Sequence, residues 1–172
     1  MVFMKKMKIS LRDIGIFGGF IAILIIIRIF IFSPVIVDGS SMAPTLYDSD
    51  RGFALKIGKL QRFSIVVLNN PDQFSEEEKF IKRVVGLPGE KIEYKNNNLY
   101  INNKATKENF KTEDMIWEMD NFIYQIPPGE YFVLGDNRDH STDSRNFGSI
   151  HRDEIIGTFR LRFYPISSFR LF

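Results

Sequence analysis

Cysteine is absent from the 172 residues, and histidine occurs only at His140 and His151. The first absence excludes a disulfide framework, a thiol nucleophile and a Cys-ligated zinc centre, and it leaves the redox compartment open. The scarcity of histidine makes any metal site depend on carboxylates. The sequence has neither the EF-hand spacing nor a phosphate-binding P-loop, and calcium or phosphate binding by the polar run Gly135 to Arg145 stays open. Charge of one sign is also scarce: the formal net charge is +2, and no Lys/Arg-rich block occurs beyond the N-terminus. Nucleic acid is therefore not an expected partner. Nothing repeats at a fixed period.

What the chain does have is one long apolar run. Lys5, Lys6, Lys8 and Arg12 precede a segment from Ile14 to Phe32 that, as a helix, would extend roughly 28 Å, about one hydrocarbon thickness. Arg28 lies near its outer end, where a long side chain can snorkel to the headgroups. A cleavable secretory signal shares the basic-then-apolar pattern. This run is longer than a typical signal core, and Phe32-Ser33-Pro34 follows it instead of an A-x-A-like site. The expectation is an uncleaved anchor in the lipid bilayer of the cell membrane. Residues 1–13 would form a basic cytoplasmic tail, 14–32 the single span and 33–172 an extracytoplasmic domain.

After the run the hydrophobic period becomes two. Arg51 to Ile57, Phe63 to Leu68, Phe80 to Val85 and Glu130 to Leu134 read as strands bounded by turn residues. Lys91 to Tyr94 and Leu99 to Ile101 flank Asn96-Asn97-Asn98, which predicts a hairpin. Phe159, Leu161 and Phe163 alternate with Arg160 and Arg162, the pattern of a half-buried strand. A helix is weakly indicated over Asp72 to Lys79. The seventeen phenylalanines suit strands or a surface that touches lipid. The fold class is mostly β: an antiparallel-sheet domain on one N-terminal transmembrane helix.

Three stretches carry candidate chemistry. Gly39 and Pro44 bracket a serine-rich turn, Gly39-Ser40-Ser41-Met42-Ala43-Pro44-Thr45-Leu46. Such a turn is either a solvated loop or a device for presenting a hydroxyl. Ser41 lies at most roughly 30 Å of extended chain beyond Phe32, so its hydroxyl stays near the bilayer. A serine needs a base to become a nucleophile. His140, oriented by Asp143, is one candidate. Lys82 is the better one, because in a strand it shares a face with apolar Phe80 and Val84, and desolvation lowers a lysine pKa. The plainer reading is a lysine snorkelling from a strand edge. The third stretch runs from Gly135 to Arg145, dense in acids and arginines. It reads as a solvated loop or as the support of a site, with Ser141 hydrogen-bonded to a neutral lysine and Asp143 paired to Arg145.

Taken in order behind the anchor, Gly39 to Leu46, Lys82 to Gly89 and Gly135 to Arg145 with Gly148 resemble the type I signal peptidases, in the short Gram-positive form with one anchor. The resemblance covers the anchor and nearly all of the remainder. It implies the Ser/Lys protease fold and a serine endopeptidase that removes signal peptides from exported preproteins at the outer face of the cytoplasmic membrane. Ser41 would be the nucleophile, Lys82 the general base, and Ser141, Asp143 and Arg145 the support. Val35, Val37, Leu46 and Ile81 would line shallow pockets for small substrate side chains. The Ser41 N–H would meet the oxyanion. The second donor, a serine hydroxyl in some relatives, falls at Gly39. Arg62-Phe63-Ser64 stands where Arg-Gly-Asp is usual, and His140 where asparagine is. Two alternatives stay open: an anchored extracellular β module that binds a partner without catalysis, including an inactive relative, and a Ser/Lys self-cleaving repressor-like protease.

Overall fold

The computed structural model describes residues 10–70, 79–112, 115 and 118–172. The basic tail at 1–9 and nearly all of the segment expected as a helix at 72–79 lie outside the described residues. The first element is α1 (Leu11–Phe30), capped by Ser10 and Asp13 in a reciprocal box. None of its residues is buried, and it is long and apolar enough to cross a membrane. The apolar run is thus divided between two elements. The helix stops at Phe30, and Phe32 already belongs to a strand.

Twelve strands follow among the described residues. In chain order they are β1 (Phe32–Ile36), β2 (Arg51–Leu55), β3 (Ile65–Asn69), β4 (Lys79–Gly86), β5 (Lys91–Lys95) and β6 (Asn98–Ile101). Then come β7 (Lys104–Ala105), β8 (Phe122–Gln125), β9 (Glu130–Leu134), β10 (Ile150–His151), β11 (Ile155–Tyr164) and β12 (Arg170–Leu171), with a one-turn helix α2 (Ser144–Phe147) after β9. The large sheet is ordered β1-β2-β11-β3-β4-β9-β10 with β12 added to β11, and the small one β7-β6-β5-β8. Every pairing is antiparallel. Pro34 is tolerated because β1 is an edge strand.

The β5–β6 hairpin forms where the sequence places it, with a tighter turn. Lys95 pairs with Asn98, and Asn96 and Asn97 alone make the bend at φ 51 and 60. Both angles suit asparagine in a two-residue turn. Asn102 and Asn103 repeat the device between β6 and β7. Phe63, in the segment that departs from Arg-Gly-Asp, adopts φ 67, a conformation that glycine would take without strain. Its ring packs against Phe110 at 5.3 Å.

Three buried clusters organise the interior. One joins the small sheet to the large through Val85, Ile92, Tyr94 and Phe132; one gathers Val37, Met42, Leu46 and Phe159; one lies around Val66, Leu68, Val84 and Val133. In β11 the simple alternation fails. A register shift between Phe159 and Leu161 turns Arg162 inward, where it donates to Asp50 Oδ2 at 2.8 Å, the Thr45 carbonyl at 3.2 Å and the Ser168 carbonyl at 2.7 Å. A buried guanidinium is tolerated there because acceptors surround it.

Candidate active site

Ser41 sits in the turn between β1 and β2, Lys82 in the middle of β4, and the polar stretch in the loop leaving β9. β4 and β9 are neighbours in the large sheet, so the lysine and the loop are brought together by backbone pairing. The Lys82 amine donates to the Ser41 hydroxyl at 2.8 Å. Lys82 is 4% exposed, and its Nζ lies 5.2 Å from the centre of the Phe80 ring, on the apolar face that period two assigns it. Burial drives its pKa down to about 8, against the Asp143 carboxylate, which raises it; the Arg145 guanidinium adds to the lowering.

The turn carrying Ser41 is fixed from several sides. Gly39 has φ +79, and its N–H donates to Asp48 Oδ1 at 2.9 Å. That amide is therefore committed, and Gly39 offers neither a hydroxyl nor a free N–H as a second oxyanion donor. The Ser41 N–H, by contrast, donates to no group among the described residues. Asn137 donates its N–H to the Ser41 carbonyl at 3.0 Å and its side-chain amide to the Ser40 carbonyl at 3.2 Å. Gly135 permits this approach: a Cβ there would meet the Ser41 carbonyl oxygen at 2.6 Å and the Ser141 hydroxyl at 2.2 Å.

The supporting residues divide. Asp143 is fully buried; it caps α2, accepts from the Gly135 N–H at 3.0 Å and pairs with Arg145 Nε at 2.8 Å. Arg145 also donates to the Arg138 carbonyl at 2.7 Å, tying the loop to itself. The expected bond from Ser141 to Lys82 is not made. The Ser141 hydroxyl is buried without a hydrogen-bond partner among the described residues, because the lysine amine is turned toward Ser41. The His140 ring, exposed at the cleft, is hydrogen-bonded to neither Ser41 nor Asp143.

Above Ser41 opens a cleft of about 640 Å³ lined by Ile36 to Met42, Lys79 to Lys82, His140 and Thr142. Val37 and Ile81 line it. Leu46 does not: it is 0% exposed, packed beneath the cleft with Met42. Val35, partly buried, packs against the same cluster and is also off the lining. Those two positions shape the cleft floor from behind.

Sequence reasoning passed over two buried ionic groups. Arg83 donates to both Asp136 oxygens, at 2.8 and 2.5 Å, and Thr45 donates to the same carboxylate at 2.5 Å. Arg138 reaches the Gly135 carbonyl at 2.8 Å, the Tyr94 hydroxyl at 2.6 Å and Glu108 at 2.5 Å. Burial raises the Tyr94 pKa, so its phenol stays protonated and donates to Glu108. The signal for Arg83 was present: the alternation that puts Lys82 beside Phe80 puts Arg83 on the face of Ile81, which is buried.

A hydroxyl hydrogen-bonded to a desolvated amine, in an open cleft on an antiparallel-sheet scaffold, defines the class of site found in serine hydrolases. The signal peptidase, peptidase S26 family model matches residues 11–164. Signal peptidase I S of Bacillus subtilis is 40% identical over 164 residues, 87% of this chain and 86% of that protein. Signal peptidase IB of Staphylococcus aureus is 37% identical over 168 residues, 86% of each. The crystal structure of a signal peptidase I from Enterococcus faecalis superposes with a TM-score of 0.51 at 34% identity, over 59% of this chain and 97% of that one. The chain belongs to the S26 signal peptidase family, and it is a serine endopeptidase.

Proposed function

We propose that this chain removes signal peptides from exported preproteins, with Ser41 as nucleophile and Lys82 as general base, while α1 anchors it in the bilayer with the sheets on the outer face. The observation that carries the reading is the 2.8 Å bond from a buried amine, its pKa lowered to about 8, to the Ser41 hydroxyl. Neutral Lys82 takes the hydroxyl proton as Oγ attacks the scissile carbonyl. The oxyanion that forms meets the Ser41 N–H, and the protonated amine then passes its proton to the leaving nitrogen. Water, activated by the same amine, hydrolyses the acyl-enzyme. No metal or cofactor enters. Asp143 and Arg145 hold the loop that backs the lysine. Val37 and Ile81 offer small side chains an apolar floor, which favours small residues at the first and third positions before the cut.

Purified enzyme in detergent, incubated with a preprotein carrying alanine at those two positions, is expected to give one cut after the first, read by the mass of the released chain. Scattered cuts or none would refute the reading. His140→Ala is expected to leave turnover within about twofold, since a ring outside the Ser41–Lys82 bond has no proton to transfer; a loss as large as that of the serine variant would move the base assignment to His140. The base must be neutral, so kcat/KM should climb with pH, by about tenfold between pH 7 and 9, and flatten above the lysine pKa of about 8. A profile flat across that range would exclude Lys82 as the titrating base.

A further inference from the structure

Helix α1 and strand β1 meet without a linker. Ile31 caps the helix by donating its N–H to the Ile27 carbonyl at 2.9 Å, and Phe32 is already paired with Leu55 of β2. A helix leaves its last four carbonyls without partners inside itself. Here one residue, Lys56, meets two of them: its N–H donates to the Ile31 carbonyl at 2.9 Å and its amine to the Ile29 carbonyl at 2.8 Å. A cation at a helix C-terminus also lies where the aligned peptide dipoles favour it. Carbonyls at the edge of hydrocarbon find little water, so a fixed donor stabilises them more than it would a helix in bulk solvent.

We propose that Lys56 is a positioning residue for proteolysis: it fastens the anchor to the catalytic sheet and so holds Ser41 at one height and tilt above the bilayer. This rests on the reading of α1 as a membrane span. From Lys56 the connection to the nucleophile is stiff. Phe32 to Ile36 pair residue by residue with Leu55 to Arg51, and the Val37 N–H then donates to the Asp50 carbonyl at 2.8 Å, four residues before Ser41. Tilt at the helix end is therefore carried into the serine turn. A preprotein whose apolar core is embedded in the same bilayer presents its bond at a fixed depth. A loose joint lowers the effective concentration of Ser41 at that depth; a soluble substrate, free to diffuse into the cleft, is indifferent to it.

The test uses the full chain in phosphatidylglycerol/phosphatidylethanolamine vesicles and two substrates: a preprotein with an embedded signal, and a short water-soluble peptide spanning the same bond. Lys56→Ala is expected to lower kcat/KM for the embedded substrate by roughly tenfold while the peptide stays within about twofold. Lys56→Arg, which keeps a donor, should restore the embedded rate. Two glycines inserted between Ile31 and Phe32 should reproduce the same split. Equal losses on both substrates, or no loss on the embedded one in either loosened variant, would overturn the proposal. Spin labels at Ile21 and Asn103 decide the joint without reference to turnover. Their distance distribution should be narrow in wild type and broad in Lys56→Ala. An unchanged distribution overturns the proposal, whereas a wild type that cleaves neither substrate, with the Lys56→Ala broadening still seen, strikes the peptidase reading alone.

Discussion

Lys82→Met is expected to abolish turnover and, at the same time, to stabilise the domain. Deleting a base that also serves as the acid removes help in both directions of proton transfer, a loss of at least about 10³-fold in kcat. Ser41→Ala should be equally silent, and the double variant no worse than either alone, because the two residues act as one unit. Lys82→Arg should be inactive as well, since a guanidinium holds its proton throughout the accessible pH range. The stability gain comes from the same burial. A lysine lowered from its usual 10.5 to about 8 in the folded state costs stability whenever the unfolded chain is protonated. That cost is full below pH 8 and disappears as pH rises toward 10.5, because there the unfolded chain binds the proton and the folded chain does not. Removing the amine should therefore add on the order of 2 kcal/mol at neutral pH, and the advantage over wild type should shrink between pH 8 and 10.5. Urea melts across that range check the sign. A Lys82→Met protein that keeps more than a few per cent of activity, or melts lower than wild type at pH 7, contradicts the assignment.

The second large effect falls on stability. Asp136→Ala is expected to cost about 3–5 kcal/mol, out of a total that for such domains is roughly 5–15 kcal/mol. Arg83 and Asp136 are both buried, and their contact uses two parallel N–H···O bonds. Without the carboxylate, the guanidinium keeps, among the described residues, its bond to the Phe63 carbonyl at 2.7 Å, a long contact to Thr45 and its place over the Phe110 ring at 3.9 Å. Its charge is then left in the interior. Thr45 loses its acceptor too, and Thr45 lies four residues beyond Ser41. Adding Arg83→Met to Asp136→Ala should recover most of the loss, because an apolar pair of similar volume leaves no charge stranded. Denaturant midpoints for the two single variants and the double one measure this directly. A double variant as unstable as Asp136→Ala would mean that the pair is not what holds this corner.

The parts of the fold that were legible before the structure are those with a local cause. Period two marked β4, the asparagine run marked the hairpin, and the apolar run marked a helix, each because neighbouring residues alone set the pattern. Pairings between distant segments were not legible. Arg162 was assigned to the solvent face because alternation alone says so; a register shift between Phe159 and Leu161 reverses it, and such a shift has no composition signature there. Arg138 reads as one more charge in a polar loop until Tyr94 and Glu108, 44 and 30 residues away, are seen around it. In the site, the meeting of Ser41 and Lys82 came from motif order. The silence of the Ser141 hydroxyl depends on which way one amine points, which no sequence pattern encodes.

The cleft above Ser41 has a floor of packed side chains, and under the proposed Ser/Lys mechanism that floor bears on the order of departure. With the serine acylated, water has no route from beneath, where Met42 and Leu46 close the interior. On that mechanism it reaches the ester from the cleft side, into space that the leaving polypeptide vacates. On the proposed reading the chain released as the amine leaves first, and the acyl fragment stays on Ser41 until water follows. If the chain removes signal peptides as proposed, the exported protein is free before the catalyst is ready for another round.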